Sequence, residues 1–143
     1  MKIAFVSPYP PSMVTLNEYG YHLIRSFAAK QEVEKIYVLT NYLDDNSEYS
    51  RYAMEGIEII PCWNFDGLFS FWQIRRQLKA LRPDLVIMNL QFMTFGEGKV
   101  PAALGLLTPW MCKLLGIPSI VILHNITETV KLDSIGMAGS KWK

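Results

Sequence analysis

The sequence predicts an alternating α/β fold, with a mostly parallel sheet doubly wound by helices. Three observations predict it. Five short apolar runs each end at turn-forming residues, as strands buried on both faces do. Segments with apolar residues at helical spacing lie between them. The chain has 143 residues, 50% of them hydrophobic, which suits one domain (1–143) with a sizeable core.

The first strand is the run from Lys2 to Ser7, and Pro8, Pro10, Pro11 and Ser12 break it into an irregular loop. A helix follows. Thr15 and Glu18 are spaced as a capping box, in which each side chain bonds a free backbone N–H of the other, with Val14 and Tyr19 as its hydrophobic staple. Such a cap contributes about 1 kcal/mol. Leu16, Gly20, Leu23, Ile24 and Phe27 give the stripe that faces the core. Lys35 to Thr40 is the second strand, and Asn41 to Glu55 is a polar loop. The third strand, Ile57 to Ile60, is expected to stop at Pro61.

Ser70 and Gln73 form a second capping box, with Phe69 and Ile74 as staple. Phe71, Ile74, Leu78 and Leu81 mark the buried stripe of that helix, which Pro83 ends. Asp84 to Leu90 is the fourth strand, followed by a loop carrying Gly96 and Gly98. A third helix starts at Pro101, is kinked by Pro109 and runs to about Leu115, where Gly116 caps it. Pro118 to Leu123 is a fifth buried strand, ending at His124 and Asn125. Strands that alternate with helices in this way form a parallel sheet. With right-handed crossovers the expected strand order is 3-2-1-4-5, a Rossmann-like arrangement.

Charge narrows the function. Lysine and arginine number 14 against 13 acidic residues, a net charge of +1, so no nucleic acid partner is expected. Cys62 and Cys112 match no metal or redox spacing and read as reduced core thiols. The first apolar run is too short for a signal peptide. Together these place the chain in the cytoplasm. No G-x-G-x-x-G follows the first strand, and no P-loop, Ser elbow or metal-ligand spacing occurs. This argues against a simple dehydrogenase or a P-loop nucleotidase, and no metal is expected.

In open α/β sheets ligands bind beyond the carboxyl ends of the strands, where strand order reverses. Three segments meet there in the expected topology: Ser7 to Asn17, Asn89 to Lys99 and His124 to Glu128. The first leads into a helix N-terminus, which favours phosphate.

Several of these segments resemble one family. Met1 to Pro11, followed by Asn17, Glu18, Gly20 and Leu23, resembles the opening of family 4 glycosyltransferases. Leu81-Arg82-Pro83-Asp84-Leu85-Val86-Ile87 is similar to that family's entry to a strand, KPDVVH. Gly116-Ile117-Pro118-Ser119-Ile120-Val121 is similar to its GIPVVVTLH segment, with His124 in the place of the family histidine. The match is in order over nearly the whole chain. Val14 and Thr15 stand where the family usually has a Gly-Gly pair that lets backbone approach donor phosphates.

The resemblance implies the GT-B architecture, two Rossmann-like domains facing a cleft. It implies transfer of a sugar, with retained configuration and without metal or other cofactor, from a nucleotide sugar to a glycan or lipid-linked acceptor. These residues would be the N-terminal, acceptor-side domain, inactive without a C-terminal donor-binding domain.

His124 is the candidate catalytic residue, because its position at a strand end agrees with the resemblance and an imidazole exchanges protons near neutral pH. The bland alternative is a histidine capping the sheet edge. Tyr9, Thr15, Asn17, Glu18, Gln91, Asn125, Thr127 and Glu128 are candidate acceptor or donor contacts. Against this, Tyr9 equally suits a packing role, Glu18 has its capping box, and Asn125, Thr127 and Glu128 suit ordinary loop polarity. Asn89 ends the fourth strand at the same edge as Gln91.

The Pro101 helix is apolar nearly all round, with Lys113 its only charge, yet at about 15 residues it falls short of the ~20 that span a bilayer. It reads first as a buried helix. The alternatives are an interfacial helix near the inner membrane face, or, with Trp110, Phe92, Met93 and Phe95, a surface for self-association or a missing domain. Besides the enzyme part, two other readings stay open. One is a non-catalytic nucleotide- or sugar-binding module, and the other is a subunit-interaction module.

Overall fold

A computed structural model describes residues 1–124. The elements run β1 (Lys2–Val6), α1 (Asn17–Ala28), β2 (Lys35–Asn41), a 3-10 helix (Asn46–Tyr52), β3 (Ile57–Trp63), α2 (Ser70–Leu81), β4 (Leu85–Leu90), α3 (Lys99–Leu106), α4 (Thr108–Leu114) and β5 (Ser119–Leu123). The five strands form one sheet in the order β3-β2-β1-β4-β5, every pair parallel. This is the expected doubly wound, Rossmann-like α/β fold.

Side chains alternate across each strand and so build two cores. Ile3, Phe5, Ile36, Val38 and Ile87 pack with Ile24 of α1 on one face. Ala4, Val6, Leu39, Val86, Met88 and Leu90 pack with Ile74 and Leu78 of α2 and Met111 and Cys112 of α4 on the other. Period two therefore puts Ser7 with Ile3 and Phe5, and Asn89 with Ile87, on the α1 face. His124 follows Ile122, which also packs there.

Several local expectations are corrected. α1 starts at Asn17, and its N-cap is Leu16, held left-handed at φ 74° with no side-chain cap. Thr15 therefore lies outside the capping position, and no Thr15–Glu18 box forms. The Asn17 amide oxygen accepts the Glu18 N–H instead, at 2.7 Å. The second box is also absent. Ser70 is the first helical residue rather than the cap, and its hydroxyl donates to the Asn64 carbonyl at 2.9 Å.

Pro61 does not end β3. It pairs with Thr40, and β3 continues to Trp63. An edge strand tolerates proline because its missing N–H need not face a neighbour. The polar loop after β2 contains the 3-10 helix, capped by the Asp45 carboxylate on Ser47 N–H at 2.9 Å and anchored by the buried Tyr49. Among the described residues β5 is the other edge, and its Ile120, Val121 and Leu123 are exposed rather than buried.

The single kinked helix is two helices, α3 and α4, meeting at Leu107. Pro109 explains the break. In a continuous helix its N–H would serve the Gly105 carbonyl, and proline has none. The Thr108 hydroxyl takes that carbonyl at 2.5 Å. Thr108 is fully buried, so Thr108→Val leaves a carbonyl short of a partner away from water. We expect a loss of about 1–2 kcal/mol in urea unfolding. An unchanged midpoint would refute the role. Gly116, at φ 68°, closes α4 as expected, with Ile117 N–H on the Cys112 carbonyl at 3.0 Å and Gly116 N–H on that of Lys113 at 3.1 Å.

Both cysteines are buried and free. Burial pushes the Cys62 thiol from 9.0 up to about 12 and Cys112 from 9.0 up to about 11. Raised folded-state values mean that the native protein keeps protons the unfolded chain releases. Stability from this source is full below about pH 9 and is lost as pH rises through the folded values. We expect the urea midpoint to fall above about pH 9, and thiol reagents to label neither cysteine before unfolding. Rapid labelling of the native protein would contradict the burial.

Candidate functional site

β1 lies between β2 and β4, and the connection from β1 goes to β2 while that from β3 goes to β4, so the order reverses at β1 and β4. Three polar side chains converge at the carboxyl ends there. The Asn89 Oδ1 lies 2.7 Å from His124 Nε2. The Asn89 Nδ2 donates to Ser7 Oγ at 3.0 Å and to the Leu16 carbonyl at 3.4 Å. The Ser7 hydroxyl donates to the Pro8 carbonyl at 2.8 Å. Ser7 and Asn89 are fully buried and His124 is half-buried. Parallel pairing sets this up. Val6 is in register with Met88, which puts Ser7 beside Asn89. Asn89 is in register with Ile122, so His124 stands two residues further along the same face and its ring reaches back to Asn89.

Gly20 makes room for the cluster. A Cβ there would lie 2.3 Å from Ser7 Oγ and 2.7 Å from the Pro8 carbonyl oxygen. Only a glycine lets α1 approach this strand end so closely. The Tyr19 ring stands edge-on to the His124 ring, with centroids 4.5 Å apart and planes at 77°.

On the β2 side of the same edge is an open cleft of about 580 Å³. Pro11 to Thr15, Asn41 to Asp44, Phe65, Gln91, Met93 and Glu97 line it. Among the described residues its charged walls are the carboxylates of Asp44 and Glu97, which suit a neutral or cationic ligand better than a phosphate. The Gly96–Gly98 loop that carries Glu97 serves structure. Gly98 N–H donates to Asp66 Oδ1 at 2.9 Å, and Gly96, at φ 154°, has Asp66 where a Cβ would go.

The structure divides the sequence-predicted site residues. Thr15 and Gln91 line the cleft. His124 joins the buried cluster instead. Glu18 is exposed on the first turn of α1. Asn17 holds its own loop, its amide donating to the Ser12 carbonyl. Tyr9 is fully buried against Tyr21 and Tyr52 and is not among the residues that line this cleft. Its hydroxyl has no hydrogen-bond partner among the described residues, and burial first, then Tyr21, pushes it up to about 12. Asn125, Thr127 and Glu128 lie outside the described residues.

Of the apolar residues expected at the surface, Phe92, Met93 and Trp110 are exposed, but Phe95 is 1% exposed and belongs to the core beside Trp63. No described helix is long and apolar enough to cross a membrane. Among the described residues, no three His, Cys, Asp or Glu side chains group to hold a metal ion.

Sequence reasoning missed Ser7, Gly20, Tyr19, Asp44 and Glu97 as site residues. A signal existed for the cluster. Asn89 is the one polar residue inside an otherwise apolar run, and a buried polar residue is more informative than an exposed one. Compared with known proteins, the chain matches no family model, and no curated protein is significantly similar to it.

Proposed function

We propose that this domain is the acceptor-side part of a retaining sugar-transferring enzyme. The observation that carries the reading is the meeting of Ser7, Asn89 and His124 at the reversal of strand order, beside an open cleft walled by neutral and acidic groups. Such an edge is where open α/β sheets hold ligands. The cleft would hold a sugar acceptor through Thr15, Gln91, Asn41 and the carboxylates of Asp44 and Glu97, with Tyr42 and Phe65 against its apolar face. His124 would contact the reacting sugars, and a separate donor-binding domain would hold the nucleotide. Positioning and a polar contact at the reacting centre supply the rate enhancement in this scheme.

The test is a sugar-transfer assay with nucleotide sugars, run on this chain and on the longest product of its gene. We expect transfer in the longer product and about a 100-fold lower turnover in its His124→Ala variant. Unchanged turnover removes His124 from the reaction. Because the cleft is built by this one domain, a sugar-binding module is the second reading. Sugar binding with no transfer in either protein favours it.

A further inference from the structure

We propose that Ser7 and Asn89 are positioning residues that hold His124 in its Nε2–H tautomer, so that the site presents the Nδ1 lone pair to a ligand. Donors and acceptors along this chain of hydrogen bonds can be matched in one way. The Leu16 carbonyl, 3.4 Å from Asn89 Nδ2, can only accept. The single proton of the Ser7 hydroxyl is directed at the Pro8 carbonyl, so Ser7 Oγ also accepts from Nδ2 at 3.0 Å. A reversed Asn89 amide would set its oxygen against both acceptors. The amide therefore has one orientation, with Oδ1 turned to His124.

An amide oxygen can only accept, so the ring nitrogen 2.7 Å away must carry the proton. A neutral imidazole has one N–H. Nδ1 is then the bare nitrogen, and no described residue donates a hydrogen bond to it. Ser7 and Asn89 are 0% exposed, so water does not compete for the amide, and the Tyr19 ring packs against the imidazole. The hydrogen bond on one ring nitrogen decides the chemistry of the other.

This orientation selects a ligand chemistry. A bare Nδ1 accepts from a hydroxyl and cannot donate to a phosphate oxygen. Resting on the sugar-transfer reading, neutral His124 contacts a sugar hydroxyl and not the donor phosphate. The tautomer itself does not depend on that reading.

The experiment is long-range ¹H–¹⁵N correlation of the two histidine rings in the ¹⁵N-labelled chain at about pH 8, where an ordinary imidazole is neutral. The exposed His22 is the internal comparison. We expect His124 to show one tautomer, protonated at Nε2 and bare at Nδ1, against a mixture at His22. A proton on Nδ1, or a mixture like that of His22, overturns the proposal.

Asn89→Leu, which removes the acceptor for Nε2–H, should convert His124 to a mixture. A folded Asn89→Leu variant with the tautomer unchanged would also overturn it. If that variant does not fold, Ser7→Ala replaces it, with a partial loss of the single form expected and no change counting against the proposal. Methyl glucoside and inorganic phosphate are then added to the wild-type chain. A shift of Nδ1 with the glucoside alone supports the hydroxyl assignment. A shift with phosphate, or with neither, removes that assignment, and the tautomer of the free chain stands on its own spectrum.

Discussion

Gly20→Ala is expected to destabilise the domain by about 2 kcal/mol and to disrupt the Ser7–Asn89–His124 cluster, although alanine is the better helix former. Propensity alone favours alanine over glycine in a helix interior by about 1 kcal/mol. Against this, the added methyl would sit 2.3 Å from Ser7 Oγ and 2.7 Å from the Pro8 carbonyl oxygen. The Ser7 side chain cannot yield without losing Asn89, and the carbonyl belongs to backbone. Overpacking of this kind costs about 1–3 kcal/mol, and a backbone obstacle puts it at the upper end. Packing wins over propensity. Urea unfolding measures the balance, and a stabilised Gly20→Ala would show that α1 shifts freely on the sheet.

The same contest explains what was legible in the sequence. Strands and their order were legible because parallel strands buried on both faces must be apolar runs, and right-handed crossovers leave few arrangements. Helix starts were less so. Thr15–Glu18 and Ser70–Gln73 have capping spacing, but tertiary contacts override it, since Leu16 turns left-handed under α1 and Ser70 bonds Asn64. Pro109 announced a distortion, and its full extent, two helices with the Thr108 hydroxyl on the Gly105 carbonyl, was not encoded in the local spacing.

In the site, Asn89 and His124 were visible as polar ends of apolar runs. Ser7 was hidden because a serine at a strand end reads as loop. Gly20 was hidden because a glycine in an apolar stripe reads as packing. Tyr9 misled because a tyrosine beside a predicted cleft has a polar tip, while here its ring fills the α1-face core. The walls at Asp44 and Glu97 depend on two loops meeting, which no local pattern encodes.

Gly105→Ala is the counterpart on the opposite face, and we expect about 2–4 kcal/mol of destabilisation. A Cβ on Gly105 would fall 1.9 Å from Phe95 Cδ2, 2.3 Å from Cγ and 2.7 Å from Cβ. The Phe95 ring has nowhere to retreat, because Trp63, itself fully buried, packs on it with centroids 5.0 Å apart. Phe95→Ala alone should cost about 3–5 kcal/mol through the cavity it leaves. Combined, the new methyl enters that cavity. The double variant should therefore be less destabilised than the sum, by about 1–2 kcal/mol.

Strict additivity would mean that the ring swings out instead. The two glycines also separate the two halves of the site. Phe95 belongs to the stretch that brings Gln91, Met93 and Glu97 to the cleft, and its core lies on the α2 face, away from Asn89. Gly105→Ala should thus disturb the cleft wall and leave the single His124 tautomer in place, whereas Gly20→Ala should remove that tautomer first. Loss of the tautomer in both would mean that the β4 carboxyl end moves as one body, and that cleft and cluster cannot be altered independently.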